Sequence, residues 1–430
     1  MMRPNELTAV EATRMMAAGQ ITSEALVKAC LERIRGREET VGAWEYLDPD
    51  KALEQAKALD RLPRRGSLHG IPVGVKDITD TADMPTAYGS KIYRNNHPSW
   101  DASCVALVRT AGGLVLGKTV TTEFAVFHPG KTANPHNPAH TPGGSSSGSA
   151  AAVADFMIPL ALGTQTGGSI IRPASFCGVV GYKPTFGLIN RAGVKPCAES
   201  LDTVGLFART IEDAAFFASV LTGRPSLVRR ETLETAPRIG LCHTHEWPYA
   251  APETIRAFEE AGNRLARSGA EIREVNLPEP FAHLVEAQTA IMLYEMARAF
   301  AYEYTNHRDQ LSSKLQELIE SGRAYFPEEY DKARALAEKC RGLLNDVFSN
   351  LDVLLVPSAV GEAPEGLSST GDPIFNRVWT LLPVPCVNIP VFTGPKGLPV
   401  GIQIVGRIGD DANTLAASDW AFKQLKEQRI

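Results

Sequence analysis

Two serines set among glycines, and a lysine inside an apolar run, are the residues of this chain best suited to chemistry. Residues 143–172 read GGSSSGSAAAVADFMIPLALGTQTGGSIIR. Ser145 and Ser169 lie 24 positions apart, and Lys76, in GIPVGVKD, lies 69 positions before Ser145. Glycines beside a serine let the backbone approach a substrate closely and turn its N–H groups toward developing negative charge. Two hydroxyls and a buried amine can together make a nucleophile, a relay and a base. A surface lysine at a strand end would sit in an alternating pattern, which IPVGV is not. A pair between Lys76 and Asp77 is disfavoured, because adjacent strand residues point to opposite faces. Arg172, three residues after Ser169, reads either as a structural ion pair or as a fork for a substrate carboxylate.

The elements that must position these groups follow from patterning. Thr8 and Glu11 fit a capping box before a first helix that Gly19 can stop. Thr22 or Ser23 caps a second helix, EALVKACLERIRG, and DPDKALEQAKALDRLP gives a third, ended by Pro63. From Ile71 the texture changes. IPVGVKD is predicted as a buried strand, SCVALVRTAG as a helix and GLVLGKT as a strand. A loop over 128–149 leads into the helix SAAAVADFM, and the strand IPLALGTQ runs into the second Gly-Gly-Ser. RIGLC, PETIRAFEEAGNRLARSG and EIREVNL form a further β-α-β unit. Residues 285–350 are predicted almost wholly helical, a cap over the site. DVLLVPS and PVGIQIVG are late strands, and TLAASDWAFKQLKEQ is the last helix. This alternation predicts an α/β fold with a mostly parallel sheet under helical cover, organised as one domain over 1–430.

Composition narrows the function. The chain has 430 residues, 44% hydrophobic and 22% charged, with a net charge of −5 and no basic block, which argues against a nucleic-acid partner. The start carries no signal pattern. The longest apolar stretch, AAAVADFMIPLALG, is interrupted by Asp155 and Pro159 and falls short of the ~20 residues of a membrane span. Seven scattered cysteines without a C-x-x-C fit reduced, buried thiols of a cytoplasmic protein.

Short motifs offer competing chemistries. GGLVLGKT, residues 112–119, satisfies the phosphate-loop pattern, but its apolar residues fall inside the supposed loop, which reads instead as a strand ending in Gly-Lys-Thr. GSSSG satisfies G-x-S-x-G around Ser146, yet the prolines upstream rule out the strand that a hydrolase elbow requires. His136 and His140 are split by Pro138, and His243 and His245 lack a third ligand nearby, so no metal is expected. No S-x-x-K tetrapeptide occurs.

The combination resembles the amidase signature family of amide hydrolases. The resemblance covers roughly residues 5–425 and is densest from Gly70 to Asp213. It rests on HGIPVGVKD, GGLVLGKTVTTEFA, PGGSSSGSAAAVA, GTQTGGSIIRPASFCGVVGYKPTFG, SLDTVGLFARTIEDAA and LPVGIQIVG, in that order. It implies a single large mixed, largely parallel sheet with helices on both faces. It implies Ser169 as nucleophile, Ser145 as bridging residue after a cis peptide bond, and Lys76 as base. The backbone N–H groups of Thr166, Gly167, Gly168 and Ser169 would form the oxyanion hole. No cofactor or metal is implied. Three departures from the common family pattern, a third serine at Ser147, Gln165 in place of Asp, and Arg172 at the third position after the nucleophile, resemble the malonamidase-like branch. There the corresponding arginine binds a substrate carboxylate, and Thr164 and Ser147 match pocket-lining residues. These departures, and the lack of a long C-terminal extension, argue against a close likeness to tRNA-dependent amidotransferase subunits. Residues 361–388, with Phe375 and Trp379, are expected in the other pocket wall or the core.

The expectation is a cytoplasmic hydrolase of a small-molecule carboxamide, malonamate-like in the sharper form, with neither nucleic acid nor membrane as partner. Related enzymes are often dimers, so a homodimer is an assembly to test. An amidotransferase subunit that works with partner chains, and a nucleotide-binding protein using residues 112–119, are the alternatives.

Overall fold

The computed structural model describes residues 3–228 and 236–427. Its frame is one sheet of eleven strands: β1 (Trp44–Leu47), β2 (Pro72–Lys76), β3 (Leu114–Thr119), β4 (Leu160–Gln165), β5 (Val180–Lys183), β6 (Thr203–Ala208), β7 (Arg238–Cys242), β8 (Glu271–Val275), β9 (Val353–Pro357), β10 (Cys386–Thr393) and β11 (Pro399–Val405). Their order is β1-β3-β2-β4-β6-β5-β10-β11-β9-β7-β8. β2, β3 and β4 are buried along their whole length, as their near-continuous apolar sequences require.

The sheet is mixed. β2 lies parallel between β3 and β4, and β7 lies parallel between β8 and β9, while the other pairings are antiparallel. The expected parallel pairing is thus confined to two blocks. Between them the chain returns on itself: a tight turn at Gly394–Leu398 joins β10 to β11, too short for the crossover that a parallel pair needs.

The helices largely follow their end signals. Thr8 and Glu11 make the capping box of Ala9–Ala17. The helix Ser23–Val41, capped by Thr22, runs through Gly36 and stops at Gly42, which is left-handed with φ +60°. The strands β1, β5, β6 and β10 and the helix Ile374–Leu381 were not among the expected elements. β1 and β5 are only four residues long, too short to show a period. The expected helical region contains Leu284–Ala299, Ala301–Asn306, Ser313–Ala324 and Pro327–Val347, with the first packed against the third and fourth.

Residues 112–119 are not a phosphate loop. The segment forms β3 in the interior, and the Lys118 ammonium is buried against Asp77 Oδ1 at 3.0 Å. The histidines are dispersed as well: His136 Nε2 meets the Cys177 carbonyl at 2.8 Å, and His140 Nδ1 meets that of Ala363 at 2.7 Å. All seven cysteines are buried and unbridged.

Candidate active site

The parallel strands β2 and β4 end side by side, with Val75 opposite Leu162. Lys76 is the last residue of β2, and its side chain crosses to β4 and to the loop before the helix Ser147–Ala154. Its Nζ donates to Ser145 Oγ at 2.8 Å and to Thr164 Oγ1 at 2.7 Å. Asp77, on the opposite face, goes to Lys118, so the strand alternation separates the two neighbours as expected. Lys76 is 0% exposed. Burial pushes its ammonium down from the usual 10.5 to about 7, against the opposing field of Asp202.

Ser145 follows a cis peptide bond from Gly144. The Gly144 carbonyl accepts from Arg172 Nη2 at 2.7 Å. Ser146 and Ser147 hold the same loop: Ser146 Oγ donates to the Thr164 carbonyl at 3.2 Å, and Ser147 Oγ donates to the Gly143 carbonyl at 2.8 Å.

Ser169 lies beyond the end of β4, on the loop Thr166–Ser169 that leads into the helix Ile171–Cys177. The loop is suspended by its carbonyls. That of Thr166 accepts from Gln288 Nε2 at 2.9 Å, that of Gly167 from Thr380 Oγ1 at 2.7 Å, and that of Gly168 from the Arg172 N–H at 3.0 Å. In a trans peptide the next N–H points the opposite way. Those of Gly167, Gly168 and Ser169 are therefore turned from these anchors, and they donate to no protein acceptor among the described residues. Gln165 braces the loop from beneath. Its Oε1 accepts from the N–H groups of Ile170 and Ile171 at 2.9 and 3.1 Å, and its Nε2 donates to Thr380 Oγ1 at 2.9 Å. Thr166 Oγ1 donates to Asp202 Oδ1 at 2.5 Å. Burial pushes the Asp202 carboxyl up to about 6.

Thr166, Gly167, Gly168, Ser169 and Arg172 line one cleft. Met292 and Met296 of the helix Leu284–Ala299, Pro373, and Arg377 of Ile374–Leu381 make its far wall. Lys76 and Ser145, both buried, are not among the lining residues. Thr164 and Ser147, expected near the substrate, are not among the lining residues: the Thr164 hydroxyl receives the Lys76 ammonium and that of Ser147 secures the Gly143 carbonyl. Both terminal nitrogens of Arg172 are committed, to the carbonyls of Gly144 and Gly371 and to Thr370 Oγ1, so its terminal fork is not open to a carboxylate. Phe375 and Trp379 are buried in the core rather than on the cleft. Ser169 Oγ makes no hydrogen bond to Ser145 among the described residues.

Comparison with known proteins fits this arrangement. The family model described as Amidase matches residues 25–415. The chain belongs to the amidase signature family. It is an amide hydrolase, and its fold is that of solved amidases. A structure described as an amidase shares 32% identity with a TM-score of 0.88, covering 96% of this chain and 99% of that one. The peptide amidase of Stenotrophomonas maltophilia shares 31% identity with a TM-score of 0.81, covering 99% and 98%. A glutamyl-tRNA(Gln) amidotransferase subunit from Desulforapulum autotrophicum is 32% identical, with 97% of this amidase and 96% of that protein covered. The departures at Ser147, Gln165 and Arg172 therefore do not take the chain away from such subunits, and the alignment leaves almost none of their length unmatched.

Proposed function

We propose that this amidase cleaves the C–N bond of a small carboxamide with Ser169 as nucleophile, Ser145 as proton relay and Lys76 as base. The observation that carries this reading is the 2.8 Å contact between a fully buried lysine and Ser145, whose preceding carbonyl is held by Arg172 of the cleft that Ser169 also lines. A lysine held near pKa 7 is half uncharged at neutral pH and can accept a proton. Substrate binding rotates the Ser169 hydroxyl onto Ser145 Oγ; such contacts tighten in the occupied site. The Ser169 proton passes to Ser145 as the Ser145 proton passes to Lys76. Ser169 Oγ bonds to the amide carbon, and the oxyanion meets the N–H groups of Gly167, Gly168 and Ser169, with that of Thr166 as a further candidate. Each such donor is worth about 3–4 kcal/mol when removed. The proton returns along the same path to the nitrogen as the C–N bond breaks, and ammonia or an amine leaves. Water then attacks the acyl carbon, giving a proton to the relay, which returns it to Ser169 Oγ as the C–Oγ bond breaks and the acid leaves. Arg172, by gripping the Gly144 carbonyl, positions Ser145. The malonamidase-like form of the reading, a substrate with its own carboxylate, belongs to this proposal.

Ammonia release across a panel of amides, beside Ser169→Ala, tests it. The expected result is turnover by the wild type and a loss of at least about 10⁴-fold in the variant. Full turnover by Ser169→Ala overturns it. The second reading, in which the chain works inside an amidotransferase, is favoured by the likeness to the Desulforapulum autotrophicum protein. It predicts that the isolated chain releases little ammonia until a partner chain is added.

A further inference from the structure

Two guanidinium groups, Arg172 and Arg377, line the cleft, and neither has a carboxylate partner among the described residues. Arg377, partly buried, uses Nη1 alone, donating to Gln288 Oε1 and Thr289 Oγ1 at 2.9 Å each. Its Nε and Nη2, the edge that a carboxylate grips with two parallel hydrogen bonds, donate to no protein acceptor among the described residues. Arg172, 3% exposed, has a buried Nε without an acceptor. No acidic side chain lines the cleft. Asp372, whose field reaches both arginines, is exposed and makes no ion pair with either among the described residues.

Elsewhere this chain often pairs its half-buried arginines. Arg33 meets Asp155 at 2.8 Å, Arg109 meets Asp101 at 2.9 Å, and Arg238 meets Asp352 at 2.7 Å. The cleft is a cationic pocket in a molecule of net charge −5, walled otherwise by Met292, Met296, Pro373 and Phe127. Unpaired charge in such surroundings is costly until a counter-charge arrives, and low-dielectric walls strengthen its pull on an anion. Burial lowers both guanidiniums, Arg172 to about 9.

We propose that the substrate is an amide bearing a carboxylate, and that the Nε–Nη2 edge of Arg377 receives that carboxylate. The proposal rests on the reading of Ser169 as nucleophile and places recognition on a residue other than Arg172. The location is apt. Arg377 follows Asn376, which faces the nucleophile's loop: a Cβ on Gly168 would lie 2.5 Å from Asn376 Oδ1. Arg377 and Ser169 line the same cleft, so a short acid amide held there meets both.

The test compares kcat/KM for succinamate and malonamate with that for the neutral butyramide and propionamide. The wild type is expected to prefer the acids by on the order of 100-fold. Arg377→Met should lower kcat/KM for the acids at least about tenfold more than for the neutral amides, with the excess loss in KM, and Arg377→Lys should restore part of that difference. Equal losses on acid and neutral amides would mean that Arg377 acts only through Gln288 on the loop, and would overturn the proposal; so would a wild type that favours neutral amides. A readout without turnover separates this from the reaction itself. Succinamate should bind Ser169→Ala by calorimetry, and at least tenfold more weakly once Arg377→Met is added. If Ser169→Ala hydrolyses amides as fast as the wild type while that difference stands, the reading of Ser169 as nucleophile fails and this one survives. If the double variant binds succinamate equally well, this one fails.

Discussion

Lys76 is surrounded by hydroxyls rather than carboxylates: Ser145 and Thr164 touch it, and Asp202 acts only through space. An amine so placed is held uncharged at a cost to the fold. The sign is set by linkage. The unfolded chain binds a proton below about 10.5 and the folded chain only below about 7. The penalty is therefore absent above pH 10.5, grows as the pH falls and is complete below 7. Lys76→Met should abolish amide hydrolysis yet raise the melting temperature at pH 7, by an amount on the order of 1–4 kcal/mol in stability, with the gain vanishing above pH 10.5. A differential scanning measurement at pH 7 and 11 checks both halves. The proposed base also sets the activity profile. For a neutral amide, kcat/KM should rise with pH through a midpoint near 7 and then level off. Asp202 favours the ammonium, so Asp202→Asn should move that midpoint to lower pH. An unmoved midpoint would show that another group titrates.

At the scale of elements, the site is a loop hung between strand and helix. Gln165 supplies three of its hydrogen bonds from the end of β4. Gln165→Leu leaves two buried N–H groups without acceptors, each costing about 1–3 kcal/mol. The expected outcome is a soluble protein of lower melting temperature, with kcat reduced by about 10²-fold or more and KM less affected. Circular dichroism melts beside steady-state kinetics test this. Lys76, Ser145 and Ser169 stand out as candidates in the sequence because each is marked locally, by an apolar run or by flanking glycines. The suspending residues were not. Gln288 reaches Thr166 across 122 positions, and Thr380 reaches Gly167 across 213, with nothing in the sequence around either to mark it. Gln165 was visible only as a departure from the family pattern. Arg172 was visible as a cation, but its commitment to the Gly144 carbonyl depends on a loop 28 positions away. The parallel blocks around β2 and β7 were readable from strand and helix alternation, whereas the antiparallel centre depends on short returns such as β10 to β11.

At the scale of the molecule, the likeness to both stand-alone amidases and amidotransferase subunits makes autonomy the deciding property. The described residues place Ser169, the loop N–H groups and both arginines in one chain. The purified chain alone should therefore release ammonia from acid amides at a rate independent of protein concentration. Activity that appears only when a second polypeptide is added would favour the amidotransferase reading. The anchoring of Thr166 and Gly167 by Gln288 and Thr380 also ties function to the order of synthesis. A ribosome has produced the amine and both hydroxyls before the chain is half made. Two of the groups that hang the loop, Gln288 and Thr380, and the arginine opposite it emerge only afterwards, the last of them within the final fifth of translation. On the proposed reading, a growing chain carries its reactive groups before the residues that hold them in place.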